Sequence, residues 1–132
     1  MKTKKTENQH GTIVQIIGVV VDVQFQEGNL PAIFDALIVE SGTQKGSKMV
    51  LEVASHLGEG RIRAVAMGPT DGLRRGDEIT ATGAPIRVPV GKKTLGRIFN
   101  VVGETLDGKG AITGTKMYPI HRPAPKLVDQ ST

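Results

Sequence analysis

The longest apolar run in the chain, Ile13 to Phe25 (IVQIIGVVVDVQF), carries strand chemistry. Its Ile and Val residues are β-branched and stiff at χ1, which suits a pleated surface better than a helix. With side chains alternating between faces at period two, the odd positions Ile13, Ile17, Val19, Val21, Val23 and Phe25 form one apolar face, interrupted by Gln15. The pattern predicts a single strand with that face in a core, where each large side chain contributes about 1.5–3 kcal/mol. The even face keeps Val14, Ile16 and Val20 beside Gly18, Asp22 and Gln24. That is more apolar surface than a solvated face needs, and it points to a second contact surface such as another subunit.

Further strands follow at short intervals: Phe34–Glu40, Lys48–Ala54, Arg61–Met67, Asp77–Thr82 and Ile86–Val90. The breaks between them carry Gly28, Asn29 and Pro31, then the 41–47 stretch SGTQKGS, then the LGEG turn at 57–60, the Pro69, Asp71-Gly72 and Gly76 loop, and Gly83-Ala84-Pro85. Pro89 lacks an amide donor, so the last strand belongs at an edge or leaves the sheet. Six short strands with tight turns predict an all-β fold, a six-stranded antiparallel β-barrel, which leaves no exposed sheet edge.

At Gly91 the period changes. Leu95, Ile98, Phe99 and Val102 fall at i, i+3, i+4 and i+7, the spacing of one short amphipathic helix over 95–102. Thr94 suits its N-cap and Gly103 its C-terminal stop. Beyond Gly103 the chain is rich in Gly, Pro, Lys and Thr with little apolar periodicity, which predicts a poorly ordered C-terminal segment. Residues 1–10 read as a disordered tail, 11–90 as the barrel and 91–132 as a separate unit.

Composition narrows the function. The 132 residues contain no cysteine, which excludes a disulfide scaffold, thiol catalysis and thiolate metal sites. No apolar run reaches membrane-spanning length, and no apolar segment follows the charged N-terminus as a secretory signal requires. The net charge of +4 is unevenly spread: residues 11–90 carry seven Lys/Arg against nine Asp/Glu, while 91–132 carry seven against three. A mildly acidic barrel, in a chain with only three Phe, one Tyr and no Trp, offers neither the clustered charge nor the stacking platforms of a nucleic-acid binder. An independent oligonucleotide-binding barrel with basic tails remains the alternative reading.

Candidate chemistry is sparse. The GKKT run at 91–94 sits where a phosphate-binding loop would, between strand and helix. Ile86 stands where that loop needs its first glycine, and there is one Lys too many. His10, His56 and His121 lack metal-ligand spacing. Asp22, in the middle of the first strand, calls for an Arg or a backbone amide as partner. Arg61, Arg63, Arg74 and Arg75 are interleaved in sequence with Glu52, Glu59, Asp71, Asp77 and Glu78, as in a mixed solvated surface. No catalytic, cofactor-binding or metal-ligating residue is assigned, and the residues read as a binding or assembly module.

The runs GTIVQIIGVVVDVQF, LPAIFDAL, LEVASHLGEGRIRAVAM, TDGLRRG, TGAPIRVPVGKKTLGRIFNVVGETLD and IHRPAP occur in this order between Gly11 and Pro125. Together they resemble the N-terminal portion of the catalytic beta subunit of rotary ATP synthase. IIGVVVDVQF and VPVGKKTLGRIFNVVGE are closer to the beta than to the non-catalytic alpha subunit. The resemblance implies a six-stranded barrel over 11–90, set in the crown of a hetero-hexameric head of alpha and beta subunits. It makes 91–132 the truncated start of a nucleotide-binding domain. The family's P-loop and catalytic glutamate lie further on, so this stretch is expected to be inactive alone and to hold no cofactor, MgATP and MgADP belonging to the full-length parent. The implied setting is a peripheral complex that meets the membrane only indirectly. It lies on the cytoplasmic face of a bacterial plasma membrane or the matrix side of a mitochondrion, with no nucleic acid as partner.

Overall fold

The computed structural model describes residues 9–40 and 48–130. Of the N-terminal tail expected over 1–10, residues 1–8 lie outside that range, as does the expected 41–47 turn; Gln9 and His10 belong to a strand. Six strands form one closed antiparallel barrel: β1 (Gln9–Ile17), β2 (Val20–Gln24), β3 (Asp35–Glu40), β4 (Lys48–Gly58), β5 (Arg61–Ala66) and β6 (Glu78–Pro85), paired in the order β1-β2-β5-β4-β3-β6. The all-β, six-stranded antiparallel barrel is as the strand pattern predicts.

Its membership differs in two places. The run 13–25 is two strands, folded back at Gly18-Val19 so that Ile17 opposes Val20. Gly18 has φ 58, the left-handed value that a two-residue hairpin loop demands at its first central position. The strand expected at 86–90 lies outside the barrel. As β7 (Arg87–Val90) it pairs with β8 (Lys116–Pro119) in a separate two-stranded sheet, where Pro89 opposes Met117. The β4–β5 connection is tighter than its glycines alone suggest. Glu59 (φ 52) and Gly60 (φ 74) fill its two central positions, both left-handed as a type I′ turn requires.

The barrel interior is filled by Ile13, Val21, Val23, Leu37, Val39, Leu51, Val53, Ile62 and Ile79, all at 0–1% exposure, with Phe25 at one end. Gly11 makes that end possible, since a Cβ there would stand 2.8 Å from both the Phe25 ring and Val23. Gly60 is equally constrained: a Cβ would meet the Phe25 carbonyl oxygen at 2.5 Å. The expected inward face of 13–25 holds at Ile13, Val21, Val23 and Phe25 and fails at Ile17 (63% exposed) and Val19 (51%). A bulge between Ile13 and Gln15 reverses the parity of β1, so Ile16 packs on the core and Ile17 turns out.

The helix expected over 95–102 is absent. A single 3₁₀ turn, Lys92–Thr94, ends in Leu95 with extended backbone (ψ 133), and Gly96 at φ 69 breaks the helical path. Leu95 and Ile98 are 77% and 61% exposed, so the periodic face meets no core. Thr94 bonds back to the Gly91 carbonyl instead of capping a helix. The Asn100 side chain accepts the N–H groups of Val102 and Glu104, closing a tight turn around the Phe99–Thr105 bridge. Side chain-to-backbone bonds of this kind compete with helix formation. The segment expected to be poorly ordered contains β8 and a second 3₁₀ turn, Leu127–Asp129.

Ile62→Ala is expected to cost about 2–5 kcal/mol of stability, because the closed interior cannot collapse onto the vacated volume. Ile98→Ala, on the exposed turn, should change it by less than about 0.5 kcal/mol. Urea unfolding followed by far-ultraviolet circular dichroism distinguishes the two.

Candidate functional site

The outer wall formed by β1, β2 and β5 concentrates what the sequence singled out. Asp22 sits mid-strand on β2, opposite Gln15 on one side and Arg63 on the other. It is 4% exposed, and among the described residues it is the buried charged side chain. Arg63 grips it bidentately, Nε to Oδ1 at 2.8 Å and Nη2 to Oδ2 at 2.9 Å, the fork geometry that makes such pairs strong. These hydrogen bonds hold the Asp22 carboxyl below its ordinary value against the opposing effect of burial, with the charges of Arg63 and Arg61 adding to them. They raise the Arg63 guanidinium in turn. Of the two partners expected for Asp22, an Arg or a backbone amide, the structure supplies the Arg, Arg63. Buried and bonded bidentately across the β2–β5 ladder, the carboxylate forms a cross-strand brace with Arg63.

Around this brace the wall is apolar and basic. Val14, Gln15 and Ile16 line a shallow hollow of about 620 Å³ together with Arg61 and Arg75. At the hairpin tip Ile17 and Val19 stand in solvent, and the Thr70 hydroxyl ties the tip to the following loop by donating to the Gly18 carbonyl at 2.8 Å. The even-face surplus noted in the sequence is displaced by the bulge: the exposed apolar residues are Ile17 and Val19 rather than Val14, Ile16 and Val20, which are half-buried.

The three histidines lie apart. His10 Nδ1 is 3.0 Å from Glu78 Oε1, His56 Nε2 is 2.7 Å from the Pro31 carbonyl, and His121 Nε2 is 2.9 Å from Glu52 Oε2. No cluster of three or more His, Asp or Glu side chains with metal-ligand spacing occurs among the described residues. Of the four arginines, Arg63 leaves the patch to brace Asp22, and Arg61 and Arg75 meet at the hollow. Lys92 and Lys93 form no cradle, since Lys93 Nζ donates to the Thr113 carbonyl at 3.0 Å.

Two polar constellations escaped sequence reasoning. Arg97 grips Asp107 bidentately, at 2.5 and 3.0 Å, and also donates to the Gly110 carbonyl. The Asp107 carboxyl is held far below its ordinary value by Arg97 first and by the Lys109 and Ile98 N–H groups, against burial. The second constellation joins His121 to Glu52 and Phe34. Neither has a spacing signature, because each is made by a turn or a non-local crossing. A carboxylate ten residues after an Arg, inside the Gly-rich stretch 103–110, was the one available hint of the first.

The barrel is closed, its desolvated carboxylate is neutralised by Arg63, and its β1–β2 wall carries an exposed apolar hairpin tip and a hollow lined in part by Arg61 and Arg75. Residues 13–83 match the ATP synthase alpha/beta family, beta-barrel domain, and the chain belongs to that family, its barrel being the N-terminal barrel of an alpha/beta-type subunit. Among the described residues no helix is long and apolar enough to cross a membrane.

Both Asp22 and Asp107 are depressed in the folded state, so the stability they contribute is complete above the unfolded value near about pH 3.9. It is lost as pH falls through the folded values. Urea midpoints measured from neutral pH downward should show an acid limb that Asp22→Asn and Asp107→Asn each flatten. An acid limb unchanged in both would contradict this origin.

Proposed function

We propose that this chain is the N-terminal crown barrel of an ATP synthase beta subunit. In this reading it assembles an alternating alpha/beta hexameric head, and the parent complex couples proton flow to ATP synthesis. The observation that carries the reading is the apolar hairpin tip, Ile17 and Val19, at 63% and 51% exposure on an otherwise well-filled barrel. Two exposed aliphatic side chains on a rigid two-residue turn, beside the Val14–Ile16 hollow, suit a flat contact with a neighbouring barrel. The closer likeness of the IIGVVVDVQF and VPVGKKTLGRIFNVVGE runs to beta than to alpha subunits supports the choice of subunit.

On this reading residues 91–132 begin a nucleotide-binding domain whose P-loop follows in the full-length parent. MgATP and MgADP are ligands of that parent and not of this stretch. The head is a peripheral complex on the cytoplasmic face of a bacterial plasma membrane, or its mitochondrial matrix equivalent, held to the membrane through other subunits.

Ile17→Asp should weaken association with an alpha-subunit barrel by at least about tenfold, the effect of leaving a charge in an apolar contact. Its effect on the stability of the isolated chain should stay within about 0.5 kcal/mol. Analytical ultracentrifugation of the mixed barrels gives the first quantity and urea unfolding the second. Isothermal titration of the chain with MgATP should give no saturable heat; tight binding would reject the reading.

A further inference from the structure

Two hollows of opposite charge lie on opposite sides of the barrel. In the closed order β1-β2-β5-β4-β3-β6, strands β2 and β3 are three steps apart in either direction. The first hollow, about 620 Å³, spans β1 to β5 across β2; Val14 and Ile16 give it an aliphatic floor, and Arg61 and Arg75 rim it. The second, about 510 Å³, is centred on β3. Ile38 supplies its aliphatic part and Glu40, Asp77 and Glu78 its rim, with Lys48 and His10 beside them. The loop before β6 divides between the two, giving Arg75 to the first and Asp77 to the second, while Arg74 lines neither.

The charge on each side is incompletely compensated. On the first, the Asp22 carboxylate stands against Arg61, Arg63 and Arg75, which leaves +2. Asp22 is taken up by Arg63. Arg61 acts on it only through its charge, and neither Arg61 nor Arg75 forms an ion pair among the described residues. On the second side, counting Lys, Arg, Asp and Glu, three carboxylates stand against the Lys48 ammonium, which leaves −2. Lys48 lies 4.0 Å from Glu40 and His10 3.0 Å from Glu78, yet the Glu40 and Glu78 side chains are 79% and 73% exposed. The two faces therefore match in sign and size, and each sets its charges beside aliphatic surface. Lying on opposite sides of one barrel, they do not meet within a single molecule.

We propose that the Arg61–Arg75 face of one copy docks on the Glu40–Glu78 face of a second copy, so that the isolated chain associates with itself head to tail. The rim charges select which faces meet, and Val14 and Ile16 of one copy cover Ile38 of the next. The contact is heterologous. Each docking uses one face of each copy and leaves a free face at either end, so it builds chains or rings and not an isologous pair. The inference needs no subunit assignment: a chain that binds an alpha-subunit barrel yet stays monomeric alone refutes self-association and leaves the assembly reading standing.

Sedimentation velocity of the whole chain tests this. The weight-average mass should rise with concentration, and raising the salt from about 50 mM to about 500 mM should weaken association about tenfold. Arg61→Glu with Arg75→Glu removes one face, and Glu40→Lys with Glu78→Lys removes the other. Each double variant alone should stay monomeric, and an equal mixture should form a 1:1 dimer that grows no further, because each variant supplies the face the other lacks. Circular dichroism checks that both variants fold; the Gln replacements at the same positions carry the same test if a charge reversal does not. A chain monomeric up to about 1 mM leaves the hollow to a different partner and overturns the inference. So does a mixture that fails to associate, or an association that salt leaves unchanged.

Discussion

Closure of the barrel depends on one strand serving two partners. The first four residues of β1, Gln9 to Thr12, pair with β6, and the ladder from Thr12 to Ile17 pairs with β2. The bulge between Ile13 and Gln15 separates the two duties. It bends the strand round the barrel and exchanges its inward and outward faces, as an extra residue must when side chains alternate with period two. Ile13 and Ile16 reach the core on either side of it, while Ile17 is turned out to the hairpin tip. The inward turn of Ile16 and the outward turn of Ile17 therefore come from the same irregularity.

The wall beside that strand shows how a buried carboxylate is held in an all-β surface. Asp22 is shielded and bidentately bonded by Arg63 across the β2–β5 ladder. Removing one partner alone would leave a buried charge uncompensated, at a cost of about 3–5 kcal/mol, and the pair spans the ladder between two neighbouring strands. The Arg97–Asp107 pair ties the segment beyond the barrel, where no apolar core is available to fix the turn.

Much of the barrel was legible because β-branched runs and glycine-rich breaks are local signals. The strands at 34–40, 48–54, 61–67 and 77–82 are recovered with shifted ends, and the need of Asp22 for a partner, an Arg or a backbone amide, followed from the cost of burying a lone carboxylate. The hairpin at Gly18-Val19 was hidden because both flanks are apolar, so a single glycine looked like an interruption within one strand. The apolar spacing of Leu95, Ile98, Phe99 and Val102 imitated a helix, but periodicity predicts a helix only when a core exists to receive the face. The β7–β8 pairing and the meeting of His121 with Glu52 join residues far apart in sequence. Neither leaves a trace in spacing.

The seam between β1 and β6 also bears on how the chain is made. Gln9 opposes Ala81 and Thr12 opposes Glu78, so the earliest strand to leave a ribosome waits for the latest strand of its own sheet. Until Ala81 has cleared the exit tunnel, the nascent sheet has two raw margins and an interior open to water. Unpaired margins of that kind recruit foreign strands. Synthesis speed over the segment from β4 to β6 therefore sets how long the newborn protein is exposed to mispairing.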